Sequence, residues 1–167
     1  MSAARVALLM GSKSDLPKLE PGIEILRSFE VDHTVRVMSA HRTPAVVAEF
    51  AAGAEEAGYG AIICAAGMAA HLAGVVAAHT PLPVLGIPVA GGSLQGMDAL
   101  LSTVQMPGGV PVATFGVGSG GVKNAVLFAI QILARQDEQL QQRFLDYREE
   151  QRQNVREANA EVDRGTG

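Results

Sequence analysis

The chain lacks several features that would point to other functions. It has no tryptophan and only seven aromatic residues, five Phe and two Tyr, which leaves little for base stacking. Its net charge of −4 gives no basic footprint either, so no nucleic-acid partner is expected. The single cysteine, Cys64, lies in an apolar run. It excludes an internal disulfide and suits the reducing cytoplasm, where it is expected to be buried and inert. No pair of His, Cys or carboxylate residues has metal-ligand spacing, so no metal is expected. The Gly-x-Ser-x-Gly elbow of a Ser-His-Asp hydrolase is missing. So are long unbroken apolar runs. Pro81, Pro83, Pro88, Pro107, Pro111 and many glycines interrupt the stretch from Ala57 to Val122, which cannot hold a spanning helix of ~20 residues. A strand is expected almost at the start of the sequence, so no signal peptide is expected.

Charge is scarce as well, at 18% of residues. Across the 66 residues from Ala57 to Val122 the only formal charge is Asp98. A parallel sheet buried on both faces accounts for part of that neutrality. The rest predicts subunit contacts, and hence an obligate oligomer. A length of 167 residues is most simply one domain with a real core, and no internal boundary is visible.

What is present is strand, turn and helix in alternation. Arg5–Met10, Val31–Met38, Ala61–Ala65, Val84–Val89 and Val112–Val117 read as strands. Helices are expected from about Leu16 to Phe29 with Asp15 as N-cap, from Thr43-Pro44 to near Gly58, and from about His71 to His79. A long connection containing Gly91-Gly92-Ser93 and Met106-Pro107-Gly108-Gly109 follows, then a helix from Asn124 to about Leu133. This order argues an α/β fold with a parallel sheet between two helical layers. Residues 137–163 are dense in Glu, Gln and Arg, with a thin apolar stripe of Leu140, Phe144, Tyr147 and Val155. They read as a C-terminal helical arm, either solvated or packed on neighbouring subunits. Arg164–Gly167 are expected to fray.

Two polar turns carry the chemistry. Met10-Gly11-Ser12-Lys13-Ser14-Asp15 follows the first strand, and Ser39-Ala40-His41-Arg42-Thr43-Pro44 follows the second. Ligands of open parallel sheets bind outside the carboxyl ends of the strands, where such turns face one crevice. The first turn resembles phosphate-cradling loops in general, without being the nucleotide P-loop. Helix capping accounts for it equally well, and Asp15 could instead accept hydrogen bonds from ribose hydroxyls. Arg42 offers a planar fork for phosphate, and His41 can give and take a proton near neutral pH. A third turn, Gly67-Met68-Ala69-Ala70-His71-Leu72-Ala73-Gly74, is small and apolar and could cover a ligand and exclude water. His71 there could simply begin a helix. His33 and His79 read as surface or interface residues.

Taken together, Gly11–Asp15, Ser39–Pro44, Ala69-Ala70-His71-Leu72, Leu85-Gly86-Ile87-Pro88-Val89, Val104-Gln105-Met106-Pro107 and Asn124-Ala125 closely resemble the N5-carboxyaminoimidazole ribonucleotide mutases of purine biosynthesis. The resemblance runs through nearly the whole chain. It implies a flavodoxin-like three-layer sandwich, a homo-octamer with active sites at subunit junctions, and no cofactor. The implied reaction converts N5-carboxyaminoimidazole ribonucleotide into 4-carboxy-5-aminoimidazole ribonucleotide by decarboxylation and recarboxylation. By the same resemblance His41 is the general acid and base. Ser12, Ser14, Ser39 and Arg42 hold the phosphate and ribose, with Asp15 on the ribose. Gly67, Ala70 and His71 belong to the turn that closes over the imidazole. The chain departs from the family's usual Gly-Gly-Ala-Ala-His-Leu-Pro-Gly, with Met68 for the second Gly and Ala73 for Pro. If that Gly needs a positive φ, Met68 is strained.

A second branch carboxylates aminoimidazole ribonucleotide with free carbon dioxide. It typically has Lys after the catalytic His and lacks the Ala-Ala-His-Leu turn, so Arg42 and Ala69–Leu72 place this chain with the mutases. A non-catalytic flavodoxin-like module binding a flavin or nucleotide is a more distant alternative. It predicts aromatic residues flanking a ring, whereas Tyr59 and Tyr147, the only phenols, lie outside the ligand turns. A purely structural assembly subunit would make His41 dispensable.

Overall fold

The computed structural model describes residues 5–165. Five parallel strands form one sheet in the order β2-β1-β3-β4-β5, which is the flavodoxin-like order. They are β1 (Arg5–Met10), β2 (His33–Val37), β3 (Tyr59–Gly67), β4 (Val84–Val89) and β5 (Ala113–Thr114). Alternation along the strands divides the interior into two cores. Val6, Leu8, Met10, Ala61, Ile63 and Ala65 face one side, and Ala7, Leu9, Ile62 and Cys64 face the other. Both faces of β1 and β3 are therefore dry, which explains their unbroken apolar sequences.

The first core is roofed by α1 (Leu16–Ser28) and α5 (Ser119–Leu133), the second by α2 (Pro44–Gly53) and α3 (Leu72–Ala77). Gly22 lets α1 approach α5 closely. A Cβ there would come within 2.8 Å of Val122 and 2.9 Å of Val126. The segment read as a plain connection contains a further helix, α4 (Met97–Val104), behind Gly96 at φ 94°. It packs on β4 where Gly86 presents no side chain to Thr103. Its apolar residues Met97, Leu101 and Val104 recur at helical spacing but face outward, while the smaller Ala99 and Thr103 form its buried side.

Other boundaries move for local reasons. Asp15 does not cap α1 with its side chain; a short 3-10 turn, Lys13–Asp15, precedes the helix, and Ser12 accepts the bond from the Ser14 N–H instead. Helix α2 stops at Gly53, and tighter turns carry the chain to Gly58, whose φ of +83° sends it back into β3. The fifth strand is only two residues long, extended by one bond from the Phe115 N–H to the Gly86 carbonyl. Helix α5 begins five residues earlier than expected, through a Gly-rich first turn.

The C-terminal helix α6 runs from Glu138 to Gly165, so Arg164 and Gly165 are helical, while Thr166 and Gly167 lie outside the described residues. The apolar stripe has a place in its own chain. Leu140 is only 3% exposed, and Phe144 and Tyr147 pack against Phe29 at ring-centroid distances of 6.4 and 5.5 Å. Val155 does not join them, and every described residue from Arg148 onward is exposed. Among the described residues no helix is long and apolar enough to cross a membrane.

Candidate active site

The turns after β1, β2, β3 and β4 meet at one end of the sheet around a crevice of about 530 Å³. This is the point where strand order reverses. From β1 the chain leads on to β2 on one side, and the return through β3 lies on the other, so the turns diverge and leave a cleft.

In the first turn Ser12 is extended, with its Oγ 2.8 Å from that of Ser14. Asp15 lines the crevice beside Lys18. Partial burial pushes the Asp15 carboxyl above its ordinary range, and the Lys18 charge pulls the other way. Lys13, within the first turn, does not line the crevice; Lys18, in the first turn of α1, does. Its ammonium donates to the Ala90 carbonyl at 2.7 Å and so ties α1 to the turn after β4. No motif marked Lys18, because its partner lies 72 positions away.

The second turn is locked to the first. The Met38 N–H donates to the Met10 carbonyl at 2.9 Å. Thr43 Oγ1 accepts from the Ser39 N–H and donates to the Ser39 carbonyl, closing the loop on itself instead of capping α2. Ser39 Oγ accepts from the Arg42 N–H, and Arg42 Nη2 donates to the Gly11 carbonyl at 2.8 Å. The guanidinium thus holds two strand-end turns in register while leaving four other N–H donors for an anion.

His41 reaches over the end of β1 to the third turn. Its Nε2 lies 2.6 Å from Nδ1 of His71, with the rings edge-on at 79°. So short a contact requires one proton between the two nitrogens, since two would clash and none would set lone pair against lone pair. His71 stands at the start of α3 without capping it by a side-chain bond; its ring is committed to His41. Gly67, Met68, Ala69 and His71 line the crevice. Ala70 does not: it is buried behind the turn, where its N–H donates to Ser102 Oγ and its carbonyl accepts from Thr103. Met68 does take a positive φ, 53°, as its place in the turn suggested.

His33 and His79 lie away from the crevice, each with Nδ1 on a carbonyl, of Val31 and Val75 respectively. Cys64 is fully buried and burial pushes its thiol far up, so it takes no part in the site. A larger groove, about 910 Å³, runs between α5 and α6, but it holds none of the site residues expected from sequence.

Residues 5–154 match the family model described as AIR carboxylase. Several relatives named N5-carboxyaminoimidazole ribonucleotide mutase are similar over most of their length. One from Escherichia coli is 51% identical over 92% of this chain and 91% of its own. Another from Pyrococcus abyssi is 49% identical over 87% and 83%, and one from Mycobacterium tuberculosis is 47% identical over 98% and 92%. Among solved structures, Treponema denticola PurE superposes with a TM-score of 0.83 at 27% identity, covering 95% of this chain and 98% of that one.

Proposed function

The chain belongs to the AIR carboxylase family, and from that premise we infer that it is a mutase of purine biosynthesis. It converts N5-carboxyaminoimidazole ribonucleotide into 4-carboxy-5-aminoimidazole ribonucleotide. The observation that carries this reading is a single crevice holding both the His41 imidazole and the hydroxyl- and Arg-bearing turns suited to a phosphorylated sugar.

The reaction divides the crevice into two ends. At the polar end Ser12, Ser14, Ser39 and Arg42 hold phosphate and ribose, and Asp15 accepts from a ribose hydroxyl. At the other end the N–CO₂⁻ bond breaks, its electron pair stays on nitrogen, and protonated His41 supplies the proton. Neutral carbon dioxide and aminoimidazole result. The enamine carbon then attacks the carbon dioxide, and neutral His41 removes the ring-carbon proton. Protons balance over the cycle, with His41 ending as it began. The electron-rich imidazole supplies the carbon nucleophile, so the chemistry calls for no cofactor. What remains for the protein is positioning, exclusion of water and a well-aimed imidazole. His71 does the aiming, since its bond to Nε2 leaves His41 Nδ1 as the second proton site.

In the isolated chain His41, Arg42 and His71 are exposed, as are Met97, Leu101 and Val104 of α4. Both facts support an oligomer in which neighbouring subunits finish the site, and the family resemblance makes that oligomer a homo-octamer. A cytoplasmic location belongs to the same reading.

His41→Asn tests it, because the substitution removes the proton carrier and keeps a similar shape. Turnover is expected to fall by more than about 10⁴-fold, beyond the usual span for one acid–base step, while thermal unfolding stays unchanged. Retention of a tenth of the activity would remove His41 from this role.

A further inference from the structure

A histidine that aims another must itself be held in place. Among the described residues the His71 ring bonds only to His41, so the backbone on either side has to fix it. On one side Leu72 is 2% exposed and seated in the second core. On the other, Ala70 is equally buried, but a methyl group is a poor anchor for a turn. There the backbone is held from α4. The Ala70 N–H donates to Ser102 Oγ at 3.1 Å, while Thr103 Oγ1 lies 3.5 Å from the Ala70 carbonyl. The Ser102 bond is the firmer of the two, because Thr103 directs its proton mainly to the Ala99 carbonyl, 2.7 Å away.

Ser102 is oriented to accept. Its hydroxyl donates to the Ala99 carbonyl at 3.2 Å, one helical turn back, which leaves the oxygen lone pairs for the Ala70 N–H. The helix behind it is firmly seated. Thr103 fills the space that Gly86 leaves open, where a Cβ would collide with Thr103 Cγ2, and the Thr103 carbonyl accepts from Thr114 Oγ1 of β5. A rigid acceptor therefore stands one residue from the histidine that meets His41.

We propose that Ser102, which does not line the crevice, is a positioning residue for the mutase reaction: through the Ala70 N–H it fixes His71, and with it the 2.6 Å contact that aims the His41 imidazole. The inference rests on the mutase reading. Without the hydroxyl, the described residues offer the buried Ala70 N–H no acceptor. An unsatisfied buried donor is costly enough to draw a turn toward water. A contact as short as that between His41 and His71 does not survive such a shift. Ser102 itself touches neither substrate nor the moving proton.

The test measures kcat, KM and thermal unfolding for Ser102→Ala and Ser102→Thr, with Leu140→Ala as a destabilised control remote from the crevice. Thr keeps an Oγ that bonds a carbonyl one turn back in a helix, so it should act as Ser does. Ser102→Ala should lower kcat about tenfold and leave KM within about twofold, since a misplacement of a full ångström costs about a hundredfold. Ser102→Thr and Leu140→Ala should both stay within about threefold of the parent kcat. A kcat loss below about threefold in Ser102→Ala overturns the proposal, whatever KM does. So does an equal loss in Ser102→Thr, which takes the effect off the hydroxyl, or in Leu140→Ala, which lays it on stability alone. A parent enzyme that does not interconvert the two ribonucleotides would instead overturn the mutase reading, and the assay of the parent alone tells the two failures apart.

Discussion

Arg42 does two jobs, and Arg42→Ala should separate them. Its Nη2 donates to the Gly11 carbonyl at 2.8 Å, joining the turns after β1 and β2, and its remaining donors face the task of holding phosphate. The residue is exposed, so the tie to Gly11 is screened by solvent and contributes less than about 1 kcal/mol to stability. For a chain of this size that corresponds to a melting shift of at most about 2–4 °C. The phosphate contact is a charge-assisted, forked pair worth about 1.5–3 kcal/mol. Its loss should weaken ribonucleotide binding about ten- to a hundredfold. Because the phosphate is remote from the reacting nitrogen, KM should rise far more than kcat falls. Arg42→Lys should lie between, since a point charge cannot serve the Gly11 carbonyl and a forked anion together. Calorimetric titration with the 4-carboxy ribonucleotide, alongside thermal unfolding, reads both quantities. Unchanged affinity in Arg42→Ala would refute the placement of phosphate here, and a large loss of stability would show that the tie to Gly11 had been undervalued.

Asp15 supplies a pH test: burial raises its carboxyl above the ordinary 3.8, so the folded state holds the proton more tightly than the unfolded one. That contribution to stability is complete below the ordinary value and is lost as pH rises through the raised one. Asp15→Asn should therefore melt higher than the parent at neutral pH and level with it in strong acid, while binding ribonucleotide less well; a lower melting point at neutral pH would contradict the assignment. Leu140→Ala should cost about 2–5 kcal/mol in chemical denaturation, because the side chain is 3% exposed within the first core. Removing everything after Arg148 should instead leave the melting point of the subunit fold nearly unchanged and shrink the assembly seen by sedimentation. A full-length chain that is monomeric and fully active would end the proposal of shared sites.

Physical reach separates what could be read along the chain from what could not. Strands β1 and β4 coincide with their expected ends because two-sided burial writes an unbroken apolar run between turn residues. The polar turns were legible for a similar reason: Ser12, Asp15, Ser39, His41 and Arg42 sit at strand ends, and parallel topology sends those ends to one edge. Even the strain at Met68 was visible, as a bulky residue where the family's turn carries Gly. Helix α4 was missed although Met97, Leu100, Leu101 and Val104 recur at helical spacing, because the helix is short and the Gly- and Pro-rich stretches on either side read as one connection. The anchoring of Leu140, Phe144 and Tyr147 on Phe29 was hidden too, for a stripe in sequence does not say which surface receives it.

The contacts that build the site depend on strand order. His41 and His71 follow β2 and β3, which are not neighbours; they meet because only β1 lies between them and both turns reach over its end. Lys18 finds the Ala90 carbonyl only because β4 lies two strands from β1 and its turn swings back to α1. Local pattern decides which residues stand at strand ends. The order of the strands decides which of them touch, and hydrogen bonds as short as 2.6 Å leave no tolerance for any other order.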